Sequence, residues 1–266
     1  MNNIFIHIHI PKCGGSTIYD YLKFNFNRNV FRTTGILNNY TYDKNQISEI
    51  IRSFPNVKCI SGHKISLDLP FDDPQNNIIA ITWIRNPVDR FISHYFYHRN
   101  HTNIVPQAKQ MIFSDYIDWA LLNKNNEKYI NGQRKYLNYK SLDYLESLLR
   151  HKRLFLFPMD RIPESIYSLS NEYPKNFKYI NLTQKNISFK NIDISDDLKK
   201  TVAEYMKDDY ELYNIACQSE LPSIPSSFKQ SYVEKFFFKI LKSISSKLIY
   251  SARKIDYINS RTFRQI

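Results

Sequence analysis

The chain has 266 residues, 37 of them Lys or Arg and 25 Asp or Glu, for a formal net charge of +12. Apolar residues at 42% and aromatic ones at 15% exclude wholesale disorder, and the length suits one large α/β domain or a domain with an appendage. Three scattered cysteines, Cys13, Cys59 and Cys217, exclude a disulfide framework and a structural zinc site.

The first apolar run, Ile4 to Ile10, reads as a buried strand. It is too short and lacks the basic flank of a secretory signal, and no run approaches the roughly 18 apolar residues of a spanning helix. The expectation is a soluble chain in a reducing, cytoplasmic compartment. His7 and His9 alternate with the isoleucines and share a face with Phe5, which gives His9 a structural role in fixing the loop that follows.

That loop, Pro11-Lys12-Cys13-Gly14-Gly15-Ser16-Thr17, leads into a helical stretch through Leu22 and has the outline of an anion cradle. Paired glycines let backbone N–H groups approach an oxyanion. The helix start adds a positive dipole end, Ser16 and Thr17 add hydroxyl donors, and Lys12 adds a mobile charge. A Walker A loop requires Gly-Lys-Ser/Thr in that order. Here the lysine precedes the glycines, so its ammonium falls at the mouth of the loop.

Val57 to Ile60 reads as a second strand, ending at Ser61-Gly62-His63. Ile78 to Ile84 is a third, ending at Arg85-Asn86-Pro87, after which Val88 to Tyr97 takes up helical spacing. Arg85 at the strand end and Ser93 on the helix can grip a phosphate from two sides. Arg90 could join them, but a helix-surface ion pair with Asp89 or another acid suits it better. Arg153 to Phe157 is a fourth strand candidate. Strands alternating with helices predict a parallel sheet flanked by helices, with ligands at the carboxyl ends of the strands. The motifs at 11–17, 61–63 and 85–93 each follow a strand, as a shared crevice requires.

Behind Pro222 and Pro225 the composition changes. Residues 221–266 hold nine basic residues against Glu234 and Asp256. Val233, Phe237, Ile240, Leu241, Ile244 and Leu248 recur at helical steps, with Lys235, Lys239, Lys242 and Lys247 between them. The division expected is a catalytic domain over 1–218 and a basic amphipathic tail over 219–266. The tail suits either an anionic membrane surface or packing on the domain or a second subunit.

The first loop, with Ile8-His9-Ile10 before it, resembles the 5′-phosphosulfate loop of sulfotransferases that use 3′-phosphoadenosine 5′-phosphosulfate (PAPS). Arg85-Asn86-Pro87-x-x-Arg90-x-x-Ser93-x-Tyr95 resembles their 3′-phosphate motif. Ser61-Gly62-His63, Asn131-x-Gln133-Arg134-x-Tyr136-Leu137 and Met159-Asp160-Arg161-x-x-Glu164-Ser165 are similar to the carbohydrate branch, which includes heparan sulfate 2-O-sulfotransferases; the likeness runs over about residues 4–216.

The resemblance implies a P-loop-like phosphosulfate site and sulfuryl transfer from PAPS, as co-substrate and with no metal required, to a hydroxyl of an acidic or neutral glycan. It implies that Lys12, Cys13, Gly14, Gly15, Ser16, Thr17, Arg85, Ser93 and Lys185 bind the nucleotide. His63 is the expected general base, with Lys12 at the leaving oxygen and Arg134 and Lys135 on the acceptor. Nucleic acid is not expected as a partner. The rival readings are a kinase-like phosphoryl transferase using ATP and a basic module binding membrane or nucleic acid.

Overall fold

In the computed structural model the described residues are 1–33, 41–101, 105–122, 131–180, 182 and 195–225. Lys185 and nearly all of the basic tail lie outside them. Five strands form one parallel sheet: β1 (Asn2–Ile8), β2 (Val30–Thr33), β3 (Cys59–Gly62), β4 (Asn76–Ile84) and β5 (Leu154–Pro158), in the order β2-β3-β1-β4-β5. Ten helices accompany them among the described residues: α1 (Gly15–Phe26), α2 (Lys44–Ser53), α3 (Pro87–His101), α4 (Pro106–Gln110), α5 (Phe113–Leu122), α6 (Gly132–Leu137), α7 (Leu142–Arg150), α8 (Ile162–Glu172), α9 (Asp196–Tyr205) and α10 (Lys207–Cys217).

The period-two alternation of the strands sorts their side chains onto two covered faces. Ile4, Ile6 and Ile8 of β1, Ile78 and Ala80 of β4 and Leu154 and Leu156 of β5 pack with Ile47 and Ile50 of α2, Leu145 of α7 and Leu212 of α10. Phe5, Ile79, Ile81, Trp83 and Phe157 pack on the other face with Ile18 and Leu22 of α1 and Ile166 and Leu169 of α8. A third cluster joins α3, α4, α5 and α9 through Phe91, Tyr95, Ala108, Tyr116 and Val202.

Helix starts follow their local chemistry. Asp43 and Gln46 form a reciprocal capping box on α2: the Gln46 N–H donates to Asp43 Oδ1 at 2.9 Å, and the Asp43 N–H to Gln46 Oε1 at 3.0 Å. Ser141 caps α7 by accepting from the Tyr144 N–H at 3.1 Å.

The four expected strands are present, and β2 adds a fifth at the sheet edge. The parallel pairing has a direct consequence for the site. Ile8 of β1 is level with Gly62 of β3, and His7 with Ile81 of β4. The three motifs therefore leave three adjacent strands in the same direction. With strands about 4.8 Å apart, their carboxyl ends lie within one small crevice, at the point where the strand order reverses.

Candidate active site

β1 delivers the loop. Gly14 takes the left-handed conformation (φ 77°) as the residue before α1, and Lys12 does so as well (φ 69°). A side chain at Gly14 would be strained there, and its Cβ would press on Ile162 and Met159 at 3.3 and 3.5 Å. For Lys12 the same backbone costs about 1–2 kcal/mol, so the surrounding contacts must hold it. No side chain caps α1; its first amides, the exposed Ser16 and the buried Thr17 thus line a cradle with a positive dipole end. The chemistry of this donor set fits a doubly charged oxyanion.

The Cys13 thiol turns inward, donating to Gln133 Oε1 at 3.2 Å, and burial pushes it up to about 11. Only its backbone is left for a ligand. The Lys12 ammonium is depressed by partial burial and by Arg85.

Arg85 leaves β4 beside this loop, its Nη1 donating to the Lys12 carbonyl at 3.4 Å. Its backbone is clasped by the wholly buried Gln133. The Arg85 N–H donates to Gln133 Oε1 at 2.8 Å, and Gln133 Nε2 donates to the Arg85 carbonyl at 2.9 Å. Ser93 is buried on α3.

Arg90 departs from expectation: instead of a surface ion pair with Asp89 it is buried under the loop. Its Nε donates to the Pro11 carbonyl at 3.2 Å, and its guanidinium fills the space beside Gly132, where a Cβ would meet Nη2 at 2.7 Å. The buried Asp209 feels its charge and accepts the Gln133 and Arg134 N–H groups at 3.1 and 2.7 Å. Burial nonetheless raises the Asp209 carboxyl above its usual range, against the pull of Arg90 and those two N–H groups. The start of α6 is thereby locked to α10.

His63 follows β3. Its Nδ1 lies 2.9 Å from the His9 carbonyl, an acceptor, so Nδ1 carries the proton and Nε2 holds the lone pair in the neutral ring. The rings of His9 and His63 lie 3.8 Å apart, and His7 stacks behind His9 at 5.4 Å. His7 pairs with Ser61 Oγ at 2.9 Å, and burial pushes it down to about 3, with His63 adding to the effect.

His63 keeps a solvent-exposed part, but burial of its ring lowers its pKa; Arg32 and Lys64 lower it further, while the bond to the His9 carbonyl opposes them. His9 has the loop-fixing position expected of it. Its ring occupies the space beside Gly15, where a Cβ would lie 1.6 Å from Nε2.

The Arg134 guanidinium lies 3.6 Å over the Tyr139 ring, beside the acids of α10, and Lys135 is exposed on α6. The cations acting on His63 are Arg32 and Lys64, which no motif marked. His94 and His98, to which the sequence assigned no role, form an Nε2–Nε2 pair at 3.0 Å on α3. Burial pushes His98 down to about 4, with Lys12 adding to it. The Met159–Ser165 block supports the loop from below and receives the Trp83 Nε1–H on Ser165 Oγ at 2.8 Å. Among the described residues no group of three or more His, Cys, Asp or Glu side chains could hold a metal ion, and no helix is long and apolar enough to cross a membrane.

Comparison with known proteins adds the assignment. No protein of curated function matches the chain in sequence. A sulfotransferase from Alicyclobacillus acidocaldarius is 13% identical with a TM-score of 0.43, over 83% of this chain and 98% of that one. Mouse sulfotransferase SULT7A1, in complex with PAP, is 15% identical with a TM-score of 0.42, over 84% of this chain and 66% of that one. The model of the sulfotransferase family matches residues 2–216, from the start of β1 to the last turn of α10, and the chain belongs to that family.

Proposed function

We propose that this protein transfers the sulfuryl group of PAPS to a hydroxyl of a glycan. The observation that carries the reading is the contact between Arg85 and the Lys12 carbonyl, which gives the loop and the later strand–helix junction one common mouth, with His63 one strand away in the sheet. PAPS supplies the activated sulfuryl group. The amides at the start of α1, with Ser16 and Thr17, hold its 5′-phosphosulfate, while Arg85 and Ser93 hold its 3′-phosphate. Lys12 steadies the oxygen between sulfur and phosphorus, where negative charge grows as that bond breaks, so charge stabilisation and alignment carry the reaction.

An acceptor hydroxyl must lose its proton. His63 Nε2 takes it, because Nδ1 is committed to the His9 carbonyl, and the lowered pKa keeps the ring neutral and ready near pH 7. The cations acting on His63, Arg32 and Lys64, favour an acidic acceptor over a neutral one. Arg134 and Lys135 are left at a more distant part of such a chain.

The test is transfer of labelled sulfate from PAPS to acidic and neutral polysaccharides. Lys12→Ala should abolish it, and His63→Ala should lower turnover by about 10²–10⁴-fold while PAP still binds. Full activity in both variants would contradict the proposal.

A further inference from the structure

The left-handed backbone of Lys12 sends its side chain toward α3, where Nζ lies 4.3 Å from the centroid of the Tyr97 ring. Among the described residues no carboxylate acts on this ammonium; the charged and titratable groups that do are Arg85 and the Cys13 thiol. Around it on the same helix stand the rings of His94 and His98, both held neutral by burial and in part by Lys12 itself. Tyr97 is 41% exposed, with the rings of His98 and His101 at 5.4 and 5.6 Å. The wall facing Lys12 is thus aromatic and without negative charge.

We propose that Tyr97 is a positioning residue that parks the Lys12 ammonium over its ring at the mouth of the crevice until a phosphosulfate takes it over. This rests on the function proposed above. A carboxylate at position 97 would hold the ammonium more firmly, but it would neutralise the charge and repel the nucleotide's oxyanions. A ring face attracts a cation through its quadrupole while leaving the net charge in place. It is weak enough to yield to an oxyanion and strong enough to restrict a long, flexible side chain, which reduces the ordering cost when the phosphosulfate binds.

The experiment is proton–carbon NMR of the protein reductively methylated with ¹³C-formaldehyde, the Lys12 signal being identified by its loss in Lys12→Arg. The Lys12 methyl protons should be displaced upfield by the ring in the wild type and in Tyr97→Phe, and should join the other lysines in Tyr97→Leu. A Lys12 signal at one position in the wild type and Tyr97→Leu would overturn the proposal.

In the transfer assay Tyr97→Leu should raise the KM for PAPS about threefold, the size expected of a partly exposed cation–π contact, with kcat little changed and with Tyr97→Phe restoring the wild-type KM. A wild type that shows the ring shift but transfers no sulfuryl group would sink the proposed function and leave the parking intact. Transfer without the ring shift would sink the parking alone.

Discussion

Gly15→Ala tests how the loop is coupled to His63. The residue is the first of α1, and that backbone accepts any side chain without strain, so only space matters. A Cβ at position 15 would lie 1.6, 2.0 and 2.3 Å from Nε2, Cδ2 and Cε1 of His9, where ordinary contact begins near 3.4 Å. The ring must therefore move by about 1–2 Å. It has little freedom, with the His63 ring 3.8 Å away and the His7 ring at 5.4 Å. The displacement passes to His63, whose Nδ1 is bonded to the His9 carbonyl.

Overpacking of this kind costs about 1–3 kcal/mol of stability, and moving a reacting group by about 1 Å can cost about 10²-fold in rate. Urea unfolding and sulfuryl transfer of Gly15→Ala measure the two effects. Adding His9→Ala removes the obstructing ring, so the double variant should be more stable than the two single losses add up to. Wild-type stability and turnover in Gly15→Ala would refute the coupling.

Two further outcomes follow from buried polar groups. The His7 pKa is about 3 when folded and near 6.5 when unfolded, so the unfolded chain binds the extra proton first. Stability is therefore whole above about pH 6.5 and falls as the pH drops toward 3, at up to about 1.4 kcal/mol per pH unit from this residue. Urea titrations at pH 7 and pH 5 should show that loss, and His7→Gln should reduce it; equal losses in the two proteins would refute the assignment. Gln133→Ala strips partners from the Arg85 N–H and carbonyl and from the Cys13 thiol. It should cost about 2–4 kcal/mol in the same unfolding assay and weaken PAP binding through the released Arg85. Unchanged affinity would show that Arg85 does not need the clasp.

Much of this site could be read from the chain because its parts are local. Lys12 through Thr17, Gly62-His63 and Arg85 each sit just past an apolar run, and the parallel sheet converts that shared position into nearness. Other parts are set by contacts that leave no periodic trace. Val30–Thr33 is a four-residue edge strand with Arg32 exposed, too short and too mixed to stand out. Gln133 binds a backbone 48 residues away, and one buried glutamine has no pattern. The burial of Arg90 leaves no mark either, because helical spacing from Asp89 says nothing of the loop that covers it. His94 and His98 acquire meaning only once Lys12 is seen to lean on α3.

The central claim is that the Lys12 loop and Arg85 hold two ends of one nucleotide, and calorimetric titration with PAP tests it most directly. The account predicts a single site on the wild type, weakened at least tenfold in both Lys12→Ala and Arg85→Ala, with ADP, which lacks the 3′-phosphate, binding the wild type and Arg85→Ala with similar affinity. Loss of PAP affinity in only one of the two variants, or an undiminished preference for PAP over ADP in Arg85→Ala, would contradict it.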